Sequence, residues 1–339
     1  MVTKGFVQTA KKRRPEMSKN KYKITELEEI LRMKQMTLKS HLEAKLETAG
    51  YEPKSEDGFL YAKGTFPVLL VAHMDTVHEE CVQKIKYTGA IMSSPQGIGG
   101  DDRCGIYAIL QIIKEYHCSV LFTEDEEKGC VGAEKFAVSD YIVNNDINYI
   151  IEIDRRGTND CVFYSCDNQE FEKFIESTGY FKTAWGSVSD ISTIAPALGV
   201  AAVNLSSGYF DEHTTRETIN VEALLSTIEE AKKILALPCE EPFEYIEAAY
   251  GGYGNWWRAY DEEASPISTD YTTAYTDDCT YIFSKEEKAK KFFHIYLQTY
   301  SGNEICCEIL AINEMEAIGM ALSHYQYYSA CDIIDIKSQ

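Results

Sequence analysis

Residues 68–75 read Val-Leu-Leu-Val-Ala-His-Met-Asp. A short apolar run without polar alternation, such as Val68 to Val71, is the pattern of a strand covered on both faces. Outward from it the chain keeps changing period. Upstream, Thr25 to Thr48 has the pattern of one long helix, with Gly50 as its stop. Downstream come a helix from Gly105 to Tyr116 and a strand from Ser119 to Phe122. A strand over Tyr149–Ile153, a helix over Gln169–Thr178, a strand over Gly199–Asn204 and a helix over Val221–Leu237 follow. Alternation of this kind predicts an α/β fold, a three-layer α/β/α domain with a mixed sheet.

The composition narrows the partners. The chain has 339 residues and a formal net charge of −21, which repels nucleic acid and anionic membrane surfaces. No run of 18 apolar residues is present, and the N-terminal stretch lacks the apolar segment of a secretory signal. Eleven scattered cysteines without CxxC pairs read as reduced thiols, which predicts a cytoplasmic protein. Lys11 to Arg14 read as part of a basic tail.

The domain plan expected is a tail over 1–22, a catalytic domain over 23–240, an aromatic-rich linker over 241–278 and a small α+β module over 279–339. Seven tyrosines and Trp256-Trp257 lie between Tyr245 and Tyr281. In the C-terminal part, strands are expected at Cys279–Phe283, Ile305–Ile312 and Ala330–Ile336, and helices at Lys285–Thr299 and from Asn313 to His324. This module carries no chemistry of its own, and homo-oligomerisation is one role left open for it.

Polar residues at the ends of the predicted elements carry the chemistry. His73 and Asp75 are two apart and leave the strand on the same side. An imidazole ligand needs its second nitrogen oriented, and a carboxylate does that. Gly97-Ile98-Gly99-Gly100-Asp101-Asp102-Arg103-Cys104-Gly105 lets the backbone approach an ion closely, and no Lys-Ser/Thr follows to make it a phosphate loop. Glu124-Asp125-Glu126-Glu127 follows a strand, where α/β sheets bind ligands. Asp154 ends another buried strand, and His213 precedes a helix. Each motif alone also fits a polar turn. Together, His73, Asp101, Glu127, Asp154 and His213 are spaced by 28, 26, 27 and 59 residues and form a nitrogen and oxygen donor set suited to zinc, with cobalt or manganese as alternatives. His78, five residues after His73, is a rival ligand of lower rank.

The ordered set HMD, GGDDRCG, EDEEKG, IEID and HTTRE resembles the co-catalytic two-zinc peptidases that include tripeptidase T, carboxypeptidase G and the aminoacylases, over residues from about 60 to 237. The resemblance implies that His73, Asp101 and Asp154 bind one Zn2+ and that Glu127, Asp101 and His213 bind a second. It implies a bridging Asp101 with a cis bond to Asp102, Glu126 as general base and acid, Asp75 orienting His73, and a supporting role for Glu217. Those relatives insert a lid or dimerisation domain between the fourth and fifth ligands, whereas only 58 residues separate Asp154 from His213. The site then looks more like that of single-domain aminopeptidases, which grip the substrate's α-amino group with an acid. Asp190 is the first candidate, ahead of Glu124 and Glu152; Arg155 and Tyr209 are further candidates for substrate contact. The expected activity is hydrolysis of a peptide or small amide by an exopeptidase, with Glu126 taking a proton from water held at the metals. An N-acyl amino acid deacylase and a non-catalytic binding protein are the alternatives.

Overall fold

The structure is a computed structural model and describes residues 22–143, 146–186 and 188–248, together with five strands between 271 and 338. In chain order the first part comprises α1 (Thr25–Leu31), α2 (Gln35–Thr48), β1 (Lys54–Glu56), β2 (Phe59–Ala62), β3 (Phe66–His73), β4 (Lys86–Thr88), β5 (Ile91–Ser93) and α3 (Gly100–Ile112). Then come β6 (Cys118–Thr123), α4 (Val131–Ala137), β7 (Tyr149–Arg155), β8 (Asp160–Val162), α5 (Gln169–Glu176), β9 (Lys182–Thr183), α6 (Ile191–Leu198), β10 (Ala202–Ser206), β11 (Tyr209–Phe210), β12 (Thr218–Asn220) and α7 (Val221–Leu235).

The main sheet has eight strands in the order β1-β2-β6-β3-β7-β10-β8-β9. Its centre, β6-β3-β7-β10, is parallel; β1 and β2 pair antiparallel, as does β8 with β10, while β9 runs parallel to β8. Alternate residues of β3 serve opposite faces. Val68, Leu70 and Ala72 pack into the core formed with α1, α2, α3, α5 and α7, while Leu69 and Val71 pack into the core formed with α4 and α6. Every residue of β3 from Val68 onward is buried, as the unbroken apolar run requires. The expected three-layer α/β/α architecture is therefore present. A second sheet, β11-β12-β5-β4, is wholly antiparallel.

Two expected helices differ. The segment 25–48 is two helices, broken where Lys34 turns extended (φ −72, ψ 153). The segment 285–299, expected as helix, contains a strand over 291–299. Phe293 and Ile295 are buried two residues apart, the period of a strand. With β13 (Tyr271–Tyr275), β14 (Thr280–Ser284), β15 (Lys291–Thr299), β16 (Glu304–Ala311) and β17 (Cys331–Ser338), these residues form a five-stranded sheet in the order β13-β14-β16-β15-β17. The helix expected over 313–324 and most of the aromatic stretch lie outside the described residues.

Candidate metal centre

From β3 the chain crosses to β6 on one side and later to β7 on the other. The carboxyl ends of β3, β6 and β7 thus open a crevice at a topological switch point, where α/β sheets bind their ligands. His73 is the last residue of β3, Glu126 and Glu127 follow β6 in a 3-10 turn, and Asp154 lies near the end of β7. Asp101 enters at the start of α3, and His213 comes from the loop between β11 and β12.

Five residues separated by up to 140 positions converge. His73 Nε2 lies 3.0 Å from Asp101 Oδ1 and 3.6 Å from Asp154 Oδ1. His213 Nε2 lies 3.2 Å from Asp101 Oδ2 and 3.0 Å from Glu127 Oε2. The two oxygens of Asp101 therefore face two different histidines. Possible ligand atoms of His73, Asp101 and Asp154 lie within 4.8 Å of one another, as do those of Asp101, Glu127 and His213, and those of His73, Glu126 and Glu127. The Asp101-Asp102 peptide bond is cis.

Asp75 ties the ends of two strands together. Its Oδ1 faces His73 Nδ1 at 3.1 Å, and its carboxylate accepts the N–H groups of Glu126 (3.0 Å) and Glu127 (3.1 Å). The imidazole is thereby turned with Nε2 toward Asp101. Asp154 is held just as closely. Asn204 accepts its N–H at 2.8 Å and donates to its carbonyl at 2.9 Å, and Tyr209 Oη donates to its Oδ1 at 3.2 Å. The loops also hold non-glycine residues in the left-handed region: Asp125 (φ 59), Asp211 (φ 56) and His213 (φ 59). Such conformations cost of order 1–3 kcal/mol each and persist only where surrounding contacts enforce them.

The cluster is electrostatically unbalanced by itself. Burial pushes Glu126 well above the usual carboxylate range, with Asp154, Asp190 and Glu127 adding to the effect against the pull of His73. Burial, then Asp101, pushes Asp154 up to about 7. Asp101 goes the other way: burial opposes its charge, but His213 and His73 hold it well below its ordinary value. Hydrogen bonds from its ring to the Asp101 and Glu127 carboxylates raise His213 to about 11. Burial works against a charged His73, yet Asp154, Asp101 and Asp75 raise it well above its usual value. Carboxylates that seek protons beside imidazoles that keep theirs mark a surplus of negative charge, which a cation would neutralise. Glu127 Oε1 is buried without a hydrogen-bond partner. The donors are imidazole nitrogens and carboxylate oxygens, so the residues fit a divalent metal.

The other sequence candidates divide. Tyr209 reaches the cluster through Asp154. Asp190 is fully buried, takes the Thr123 hydroxyl on Oδ2 and has no partner for Oδ1; burial raises it to about 6. Glu152 is buried and accepts the Ser189 hydroxyl at 2.6 Å. Glu124 accepts the N–H of Gly58 at 3.0 Å and pairs with Lys39 at 3.3 Å. Arg155 donates to the Trp185 carbonyl at 3.0 Å and lies 3.8 Å from Asp160. His78 does not enter the cluster; its Nε2 lies 2.6 Å from Glu217 Oε2. Spacing gave no sign of Asn204, Ser189 or Thr123. A buried asparagine inside the strand Ala202–Ser206 is itself a signal, because it demands polar partners.

Residues 59–199 match the family model of peptidase family M28. No curated protein matches the chain. Among solved structures, aminopeptidase PepT from Bacillus cereus is 17% identical over 62% of this chain and 96% of its own, with a TM-score of 0.52. A tripeptidase from Staphylococcus aureus is 15% identical over 62% of this chain and 97% of its own, at 0.51. An aminopeptidase from the archaeon Desulfurococcus kamchatkensis is 14% identical over 63% of this chain and 94% of its own, at 0.50. These likenesses agree with the two-metal peptidase resemblance of the motifs and share its fold.

Proposed function

We propose that the chain is a metal-dependent exopeptidase, an aminopeptidase or a di- or tripeptidase, working with two zinc ions. The observation that carries this reading is the position of Asp101, whose Oδ1 lies 3.0 Å from His73 and whose Oδ2 lies 3.2 Å from His213. One carboxylate can then serve two ions at once. In this reading His73, Asp101 and Asp154 hold one ion, and Asp101, Glu127 and His213 the other. When bound, the ions supply Lewis acidity to the scissile carbonyl and acidify water.

The chain's own groups supply proton transfer and orientation. Glu126 adjoins Glu127 and comes within reach of His73 in the same cluster. It takes a proton from the attacking water and returns it to the leaving amine. Asp75 keeps the His73 Nδ1 proton in place and fixes the Glu126-Glu127 turn through both N–H groups. Tyr209 steadies Asp154. Asp190, Glu152 and Arg155 remain the candidates for substrate contact, with residues 23–240 as the catalytic unit. Cytoplasmic residence belongs to the same reading and rests on the eleven scattered cysteines.

Glu126→Gln tests the reading. Bound zinc should stay at the wild-type level, while kcat on aminoacyl substrates falls by roughly 10²–10⁴-fold. Unchanged kcat with zinc retained would remove Glu126 from the reaction. Turnover of N-acyl amino acids, with none of free aminoacyl peptides, would make the chain a deacylase instead.

A further inference from the structure

Beside the cluster lies a cavity of ≈ 510 Å³, walled by Asp75 and Glu127 on one side and by the turn between α1 and α2 on the other. Arg103 is among its lining residues, two positions after Asp101. Its exposure is only 3%, yet it makes no ion pair among the described residues. Its Nε has no hydrogen-bond partner, and Nη1 reaches only the Ile30 carbonyl, at 3.4 Å. A guanidinium offers five donors. Asp75 and Asp102 favour its charge from a distance, but neither forms an ion pair with it, and a buried charge without a paired carboxylate costs several kcal/mol.

The acids around the same cavity do not fill the need. Asp75 is engaged by His73 and by the N–H groups of Glu126 and Glu127. Glu127 faces His213, and Asp125 pairs with Lys128 at 2.9 Å. Glu79 and Glu80 are exposed at the rim, where water screens them. We propose that Arg103 binds a carboxylate of the substrate, so that this cleft selects peptides carrying a carboxylate close to the scissile bond. The proposal rests on the exopeptidase reading and deepens it. The planar fork suits bidentate recognition of a carboxylate, and low exposure strengthens the contact. The carboxylate comes either from the peptide's C-terminus or from an acidic side chain. The competing role for Arg103, holding the end of α1 at Ile30, uses one donor of the five.

Binding decides this without turnover. Succinate, which has no scissile bond, is titrated calorimetrically into the zinc-loaded full chain and into R103M. The expected result is binding to the wild type and affinity weakened roughly tenfold or more in R103M, with zinc content equal in both. No binding to the wild type, or equal binding to both proteins, overturns the proposal. If R103M does not fold, R103K replaces it; it keeps the charge, loses the fork, and should weaken succinate by about threefold or more. Two substrate pairs then identify the source. Ala-Ala against its C-terminal amide reports on the α-carboxylate, and Asp-Ala against Asn-Ala on a side chain. The carboxylate-to-carboxamide ratio of kcat/KM should fall roughly tenfold in R103M for one pair, through KM. Equal losses for both members of both pairs would make Arg103 structural. Should the wild type cleave no peptide, the exopeptidase reading fails while the succinate result still decides the role of Arg103.

Discussion

The Glu217 carboxylate accepts the N–H of Gly99 at 2.8 Å and that of Asp101 at 3.0 Å, and faces the His78 ring at 2.6 Å. It lies four residues beyond His213, so it ties the loop of one candidate ligand to the backbone of another. The His78 ring in turn closes over Gly97, where a Cβ would overlap it. Glu217→Gln keeps the volume but turns an amide N–H₂ toward groups that need an acceptor. Zinc affinity should drop roughly 10–100-fold, with part of kcat recovered at saturating zinc. Equilibrium dialysis giving the wild-type zinc affinity would dismiss this positioning role. At this scale the sequence is legible where a polar residue interrupts an apolar pattern, as at His73 and Asp154, because nothing else belongs at a buried strand end. It is silent on pairs such as His78 and Glu217, 139 positions apart, whose meeting depends on the whole chain path. It is equally silent on the Thr123 hydroxyl that holds the buried carboxylate of Asp190.

The elements that aim these residues depend on close approach. α3 runs directly against β7 through Gly105, where a Cβ would overlap the Ile153 carbonyl and the Asp102 carboxylate. Asp101 heads the helix and Asp154 follows Ile153, so one contact sets the distance between two candidate ligands. Gly105→Ala should destabilise the metal-free protein by about 1–3 kcal/mol, because the helix must lift from the sheet. A urea midpoint equal to that of the wild type would contradict this packing role. Elements with a clean period were readable, β3 and α7 above all. Residues 291–299 were misread as helix because a serine followed by Lys285-Glu286-Glu287-Lys288 reads as a capped helix start just before them. The alternation of buried Phe293 and Ile295 was the competing signal, and strand pairing on both sides won.

The whole molecule sums these local charges into a pH dependence. Without a cation, the folded chain keeps Asp154 up to about 7 and Asp190 up to about 6, raises Glu126, Glu127 and Glu152, and raises His213 to about 11. Unfolded carboxylates titrate near pH 4 and unfolded histidine near 6.5. Between about pH 4 and pH 8 the folded state therefore binds more protons than the unfolded one, so stability falls as pH rises. Asp75 and Asp101 are lowered and act with the opposite sign, but their contribution is complete above about pH 4 and is lost only below it. A divalent ion reverses the balance. It needs its carboxylates charged and its imidazoles neutral, so its binding releases protons and tightens with pH. The Tm of EDTA-treated protein should thus decline steadily from about pH 5 to about pH 8, while the increase in Tm on adding zinc grows over the same interval. A flat Tm for the metal-free chain, or a zinc-induced increase that does not change with pH, would mean that these acids are not gathered to bind a cation, and the case for a metal centre would fall with them.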